Sequence, residues 1–230
     1  MAATIEHSAF FGVMLSLLSY GAGNLLKRRL QLSVFNPLLL SIIIIIFVLN
    51  IFDIDYTVYN EGAKYISYLL TPATICLAVP LYEQIELLKK NWKAIFAGIT
   101  SGVVTSLVTI LGMAVAFQFS HEEYVTFLPK SITTAIGMGV SEELGGYVSI
   151  TVAVIIITGV FGNMCAESVC RIFRITHPVA KGIAIGTASH AIGTAKAMEL
   201  GDVEGAMSSL SIVVSGIITV AGASIFAQFM

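Results

Sequence analysis

Charged side chains divide this chain into long uncharged runs, and most of the runs have the length of membrane helices. They cover residues 8–26, 30–52, 65–82, 94–120, 144–166 and 205–230. A helix needs about 20 mostly apolar residues to cross the hydrocarbon layer. The second run narrows to an apolar stretch from Pro37 to about Phe52, which is short for a span. Two weaker segments complete the pattern: 131–141, bounded by Lys130 and Glu142, and 182–195, interrupted by His190. The pattern predicts an all-α polytopic membrane protein, a single transmembrane domain over residues 1–230. It has about eight membrane-embedded segments, the last two doubtful as full spans.

Composition agrees. Charged residues are 11% of the 230, against about 25% in an ordinary soluble domain, and apolar residues are 57%. So few polar side chains cannot cover a water-exposed surface, which excludes secreted, nucleic-acid-binding and disordered classes. A net charge of −2 gives no polyanion signal. The first apolar run is too long for a cleavable signal peptide and follows Glu6 and His7, not a basic region. Cys76, Cys165 and Cys170 lie in or beside apolar runs and read as small hydrophobes.

The placement of charge orients the chain. Lys27, Arg28 and Arg29 form one cluster, Lys89, Lys90 and Lys93 a second, and Arg171, Arg174 and Lys181 a third. Acids occupy the intervening loops: Asp53, Asp55 and Glu61, then Glu122 and Glu123 beside His121. The positive-inside rule puts the basic loops in the cytoplasm and the N-terminus outside. Three apolar segments separate the second cluster from the third, and three crossings would leave Arg171 on the wrong side. One segment therefore does not cross. The shortest, about 128–146, begins at Pro129 and carries Gly137, Gly139, Gly145 and Gly146, so it reads as a re-entrant or broken helix. Residues 179–198 have the same character and start from the other face. Two such breaks meeting near the midplane is the arrangement transporters use for a substrate site. A shift of 57 aligns Leu70–Thr74 with Phe127–Ser131, an echo short enough to arise by chance, and an inverted repeat stays open.

Three constellations carry candidate chemistry. Pro72 and Thr74, with Pro80, would kink a helix and free backbone groups. Lys130, Ser131, Thr133 and Thr134 place a cation and three hydroxyls at the head of a broken helix, a set suited to a small carboxylate. Glu142 and Glu143 follow, either as proton-coupling carboxyls or as a solvated helix end. Thr187, Ser189, His190, Thr194 and Lys196 bring donors and two ionisable groups into a glycine-rich stretch, where charge is costly and function is the default reading. His190 is a second proton-coupling candidate. No His/Glu spacing on one helix face supports a metal, and no cofactor is expected. Ser189 and His190 are adjacent, about 100° apart on a helix, and cannot easily pair as nucleophile and base, so no enzyme is expected.

The motifs Leu128–Ala135 with Ser141-Glu142 and Gly145-Gly146, Arg174–Gly182 continuing into Gly186–His190, and Pro72-Ala73-Thr74 ending in Pro80-Leu81-Tyr82 resemble the LrgB/CidB family over nearly the whole chain. The lysine at position 130 is more similar to the CidB branch. The sequence departs from the family at Thr71, where relatives often carry Glu, at Ala191, where many carry Gly, and at Lys196, where many carry Arg. That last change keeps the charge but loses the bidentate fork. The resemblance implies a bacterial inner-membrane protein that acts as a holin- or antiholin-like regulator of murein hydrolase activity and cell lysis. It also implies a small membrane partner of the LrgA/CidA type. A plant relative moves glycolate and glycerate, and bacterial relatives are linked to pyruvate.

The residues favour a secondary carrier of a small carboxylate, and the resemblance implies monocarboxylates such as glycolate, glycerate, lactate or pyruvate; the carrier is expected as a homodimer in the lipid bilayer. A holin- or antiholin-like pore or lysis regulator is the alternative. The two are compatible, since moving weak acids can itself trigger lysis.

Overall fold

The computed structural model describes residues 9–30, 36–76 and 78–230, and every regular element in them is helical. Two compact units divide the chain, Met1–Cys76 and Leu77–Met230.

In the first unit, α1 (Ala9–Leu30) carries the first basic cluster in its last turn. Next, α2 (Pro37–Ile51) starts where the Asn36 side chain accepts from the amides of Leu38 and Leu39 at 2.8 and 3.3 Å, with Pro37 preset for the first turn. Its run of isoleucines is helical although β-branched residues prefer strands, because at membrane depth a helix alone satisfies its own backbone. Then α3 (Tyr56–Ser67) begins at Asp55, whose carboxylate accepts from the Thr57 amide at 2.8 Å. Gly12 lets α1 touch the backbone of α3, since a Cβ there would overlap the Tyr59 carbonyl oxygen. Ser16 locks the contact, donating to the Gly12 carbonyl at 2.7 Å and lying 2.8 Å from the Tyr59 hydroxyl. The unit ends with α4 (Leu70–Cys76).

The 65–82 run is therefore not one spanning helix. Within it α3 ends at Ser67 and a two-residue turn precedes α4; α5 (Ala78–Glu83) belongs to the second unit. Pro72 and Pro80 each remove a backbone donor from what would have been continuous helix. Nor does the 57-residue echo extend to the backbone: Leu70–Cys76 is helix whereas residues 128–132 form a turn and bend.

Among the described residues three helices of the second unit are long and apolar enough to cross a membrane, Ile85–Phe117, Val148–Ile172 and Asp202–Phe229. The first, α6, has 33 residues and is about 50 Å long. It begins nine residues before the uncharged run because a helix continues past the hydrocarbon into its basic end. Ile95, Ile99, Val103, Leu107, Ile110 and Ala114 bury one face of it at helical spacing. After α6 come α7 (His121–Phe127) and α8 (Thr134–Glu143), of seven and ten residues. Neither approaches the roughly 20 residues of a crossing. The 128–146 stretch is thus a turn and a short helix between two long ones, α6 and α9 (Val148–Ile172). A buried knot holds it. The Thr151 hydroxyl donates to the Thr126 carbonyl at 3.0 Å and lies 2.7 Å from the Ser141 hydroxyl. The Tyr147 amide donates to the Thr126 hydroxyl at 2.8 Å.

Finally α10 (Pro178–Leu200) and α11 (Asp202–Phe226) form a close hairpin. At Gly186 a Cβ would lie 2.5 Å from the Ser208 carbonyl oxygen, so only glycine permits this approach. As the glycine-rich composition of 179–198 suggests, α10 is broken: His190 sits at φ 42°, ψ −139° inside it.

Candidate functional site

A cavity of about 780 Å³ opens in the second unit between α6, the turn that follows α7 and the first half of α10. The turn is pinned on both sides by apolar anchors, Leu128 and Ile132, each 1% exposed. Between them Lys130 projects into the cavity with Ser131. Its ammonium donates to the Ser131 hydroxyl at 2.9 Å, which lies 3.4 Å from the Ser106 hydroxyl on α6. Among the described residues Lys130 has no carboxylate partner. Across the cavity the Thr187 hydroxyl is buried with no hydrogen-bond partner. Gly102 makes room for Thr187, since a Cβ there would sit 2.7 Å from its methyl carbon. A cation without a counter-ion, a chain of hydroxyls and an unmet donor are suited to a small anion, whose carboxylate accepts from all three.

The break at His190 is organised differently. The His190 ring Nε2 lies 3.0 Å from the Ile155 carbonyl, which requires the proton on that nitrogen. The Thr194 hydroxyl donates to the His190 carbonyl at 2.9 Å and lies 2.7 Å from the Ser208 hydroxyl. Asn163 donates to the Ile192 carbonyl at 2.8 Å. Side chains of α9 and α10 thus occupy backbone groups that the interruption frees, and Ser208 of α11 holds the Thr194 hydroxyl. Ser189 is buried against Gly162 of α9.

Of the residues singled out from sequence, the fold brings Lys130, Ser131 and Thr187 together in one cavity. Ser189, His190 and Thr194 are buried beside α9 and α11 and do not line it. Lys196 lies elsewhere, its ammonium paired with Glu167 and, at 3.0 Å, with Glu199. Thr133 and Thr134, half-buried at the start of α8, do not line it either. Glu142 and Glu143 are exposed in the last turn of α8, the solvated-end arrangement. Pro72 is exposed in the first unit, and the side chain of Thr74 lies outside the described part of the chain. Among the described residues no three His, Cys, Asp or Glu side chains gather as metal ligands.

Sequence reasoning overlooked the α6 wall: Asn91, Gly98, Gly102, Thr105, Ser106 and Thr109. The signal was available. Small and polar residues recur there every three to four positions in an otherwise apolar helix, but attention to helix breaks passed over an unbroken span. His177, the residue that precedes α10, also lines the cavity.

The LrgB-like family matches residues 16–229. A chain of Bacillus mycoides named antiholin-like protein LrgB is 38% identical over 231 residues, covering 100% of both chains. Chains of the same name from Bacillus cereus and Bacillus anthracis are 37% identical over the same length. No solved structure matches.

Proposed function

This chain belongs to the LrgB-like family, and from that premise we propose that it is an antiholin-like membrane protein that restrains murein hydrolase activity and cell lysis. Full-length similarity to relatives named antiholin-like carries this reading. Deleting the gene from its host is expected to raise murein hydrolase activity and speed detergent-induced lysis, with restoration by the intact chain. Unchanged lysis in the deletion strain overturns it.

A second reading concerns how the protein works, and the cavity favours it. Lys130, Ser131 and Thr187 hold the carboxylate of a small monocarboxylate such as glycolate, glycerate, lactate or pyruvate, whose passage alters the conditions that set off lysis. The protein would then be a secondary carrier in the bacterial inner membrane with its N-terminus outside. A homodimer acting with a small LrgA/CidA-type partner is part of the same proposal, as are a place in the CidB branch on the strength of Lys130 and the absence of enzymatic chemistry. Purified protein in liposomes is expected to take up at least one of these labelled acids under an imposed gradient. Dye leakage without substrate selectivity would indicate a pore instead.

A further inference from the structure

We propose that a second cavity, at the junction of α9 and α10, binds the phosphate of an anionic phospholipid headgroup. It has a volume of about 520 Å³ and is lined by Arg171, Arg174, Lys181 and Thr176, with Ile175 and Leu200 as apolar wall. None of its lining residues belongs to the cavity of Lys130, and the proposal does not rest on the reading of that cavity.

The local backbone is built to keep two arginines there. Helix α9 closes in a tight turn in which the Ile175 amide donates to the Cys170 carbonyl at 2.8 Å and the Arg174 amide to the Arg171 carbonyl at 3.2 Å. The left-handed position of such a turn is ordinarily glycine. Here it is Arg174, at φ 54°. An arginine held at a position that favours glycine motivates a use for its side chain.

Charge bookkeeping leaves the site cationic. The Glu167 carboxylate, which also lines the cavity, is paired with Lys196, and Lys181 lies 3.8 Å from Glu204. Arg171 and Arg174 have no ion-pair partner among the described residues. Two guanidinium forks and a threonine hydroxyl match the oxygens of a phosphate, each fork able to bind two of them.

The neighbours of the arginines favour a lipid over free phosphate. Ile172 and Phe173, between them in sequence, are 73% and 72% exposed, and Val169 one turn earlier is exposed as well. On the end of a helix apolar enough to span, those side chains would lie among acyl chains while the guanidinium groups reach the headgroups. Basic pockets between membrane helices take up anionic headgroups in this way.

The test uses the purified full chain in phosphatidylcholine nanodiscs, titrated with phosphatidylglycerol and followed by thermal stability. Phosphatidylglycerol is expected to raise the unfolding temperature saturably. The Arg171→Gln/Arg174→Gln variant is expected to bind it ~10–100-fold more weakly, the effect of losing charge-assisted hydrogen bonds. Arg171→Lys/Arg174→Lys, which keeps the charge and guards against a folding defect, should fall between the two. Lys89→Gln/Lys90→Gln removes the same charge from another cluster and should bind as the unaltered chain does. The proposal is overturned if phosphatidylglycerol gives no stabilisation, or if the two Gln variants lose affinity equally. It is also overturned if the Lys variant binds as the unaltered chain does, or if inorganic phosphate in phosphatidylcholine reproduces the whole shift.

Discussion

The second unit interrupts its helices in two places, and the two interruptions treat their polar groups in opposite ways. At His190 the break is closed: Ile155, Asn163, Thr194 and Ser208 hydrogen-bond within the protein and stitch the interrupted helix to α9 and α11. At 128–133 the backbone turn is equally well pinned, yet Lys130 and Ser131 project into a cavity that Thr187 enters from the other side with an unmet hydroxyl. The two lysines repeat the contrast. Lys196 has two carboxylate partners, whereas Lys130 has none among the described residues. Polarity at membrane depth therefore has two meanings in one molecule. Where every group is matched internally it holds the fold, and where one side is left unmatched it leaves donors facing a cavity.

Substitutions can break this comparison. The largest effect is expected at Lys130→Ala, which should weaken binding of a monocarboxylate by about 1.5–3 kcal/mol, roughly 10–100-fold, with thermal stability nearly unchanged. Equilibrium binding alongside a melting curve separates the two quantities. Undiminished affinity would show that the open turn is no more a site than the closed one.

Thr194→Val is expected to act in reverse. It unpairs the His190 carbonyl and the Ser208 hydroxyl, so it should destabilise the protein by about 1–2 kcal/mol while carboxylate affinity holds within about threefold. A loss of affinity without a loss of stability would place the closed break in the site.

Lys196→Ala should be milder still. Its partners Glu167 and Glu199 are 45% and 54% exposed at the side chain, and solvent screens such pairs to about 1 kcal/mol or less. The stability difference from the unaltered chain should shrink as salt is raised, and uptake should persist.

The smallest effect lies in the first unit. The Thr57 hydroxyl and then its amide hold the Asp55 carboxyl below the usual aspartate range. A depressed folded-state value means that the contribution is present above the unfolded-state value and is lost as pH falls through the folded-state one. Amide exchange at the start of α3 should accelerate only in that acid window, and Asp55→Asn should flatten the dependence.

Much of this was legible in one dimension. Uncharged runs locate the long helices, because hydrocarbon thickness acts along the chain itself, and the short apolar segment at 128–146 is a short helix. The glycine-rich interruptions also marked both breaks. The 65–82 run misled, since apolarity registers burial in lipid and does not register what two prolines do to a helix. The pairing of Lys196 was only half legible: Glu199 stands three positions on at helical spacing, but Glu167 does not. That second partner stands 29 positions earlier on another helix, and no local pattern signals the meeting.

The sequence by itself determined that the chain is helical, membrane-embedded, interrupted twice and related to the LrgB-like family, all properties carried by local composition, period and motif. Only the tertiary structure decided which polar residues are matched and which are left over. Hydrogen bonds and ion pairs at membrane depth are settled by the packing of distant helices. His190 is thus bonded to Ile155, Lys196 is paired with Glu167 and Glu199, and Lys130, with Ser131 and Thr187, is left lining a cavity.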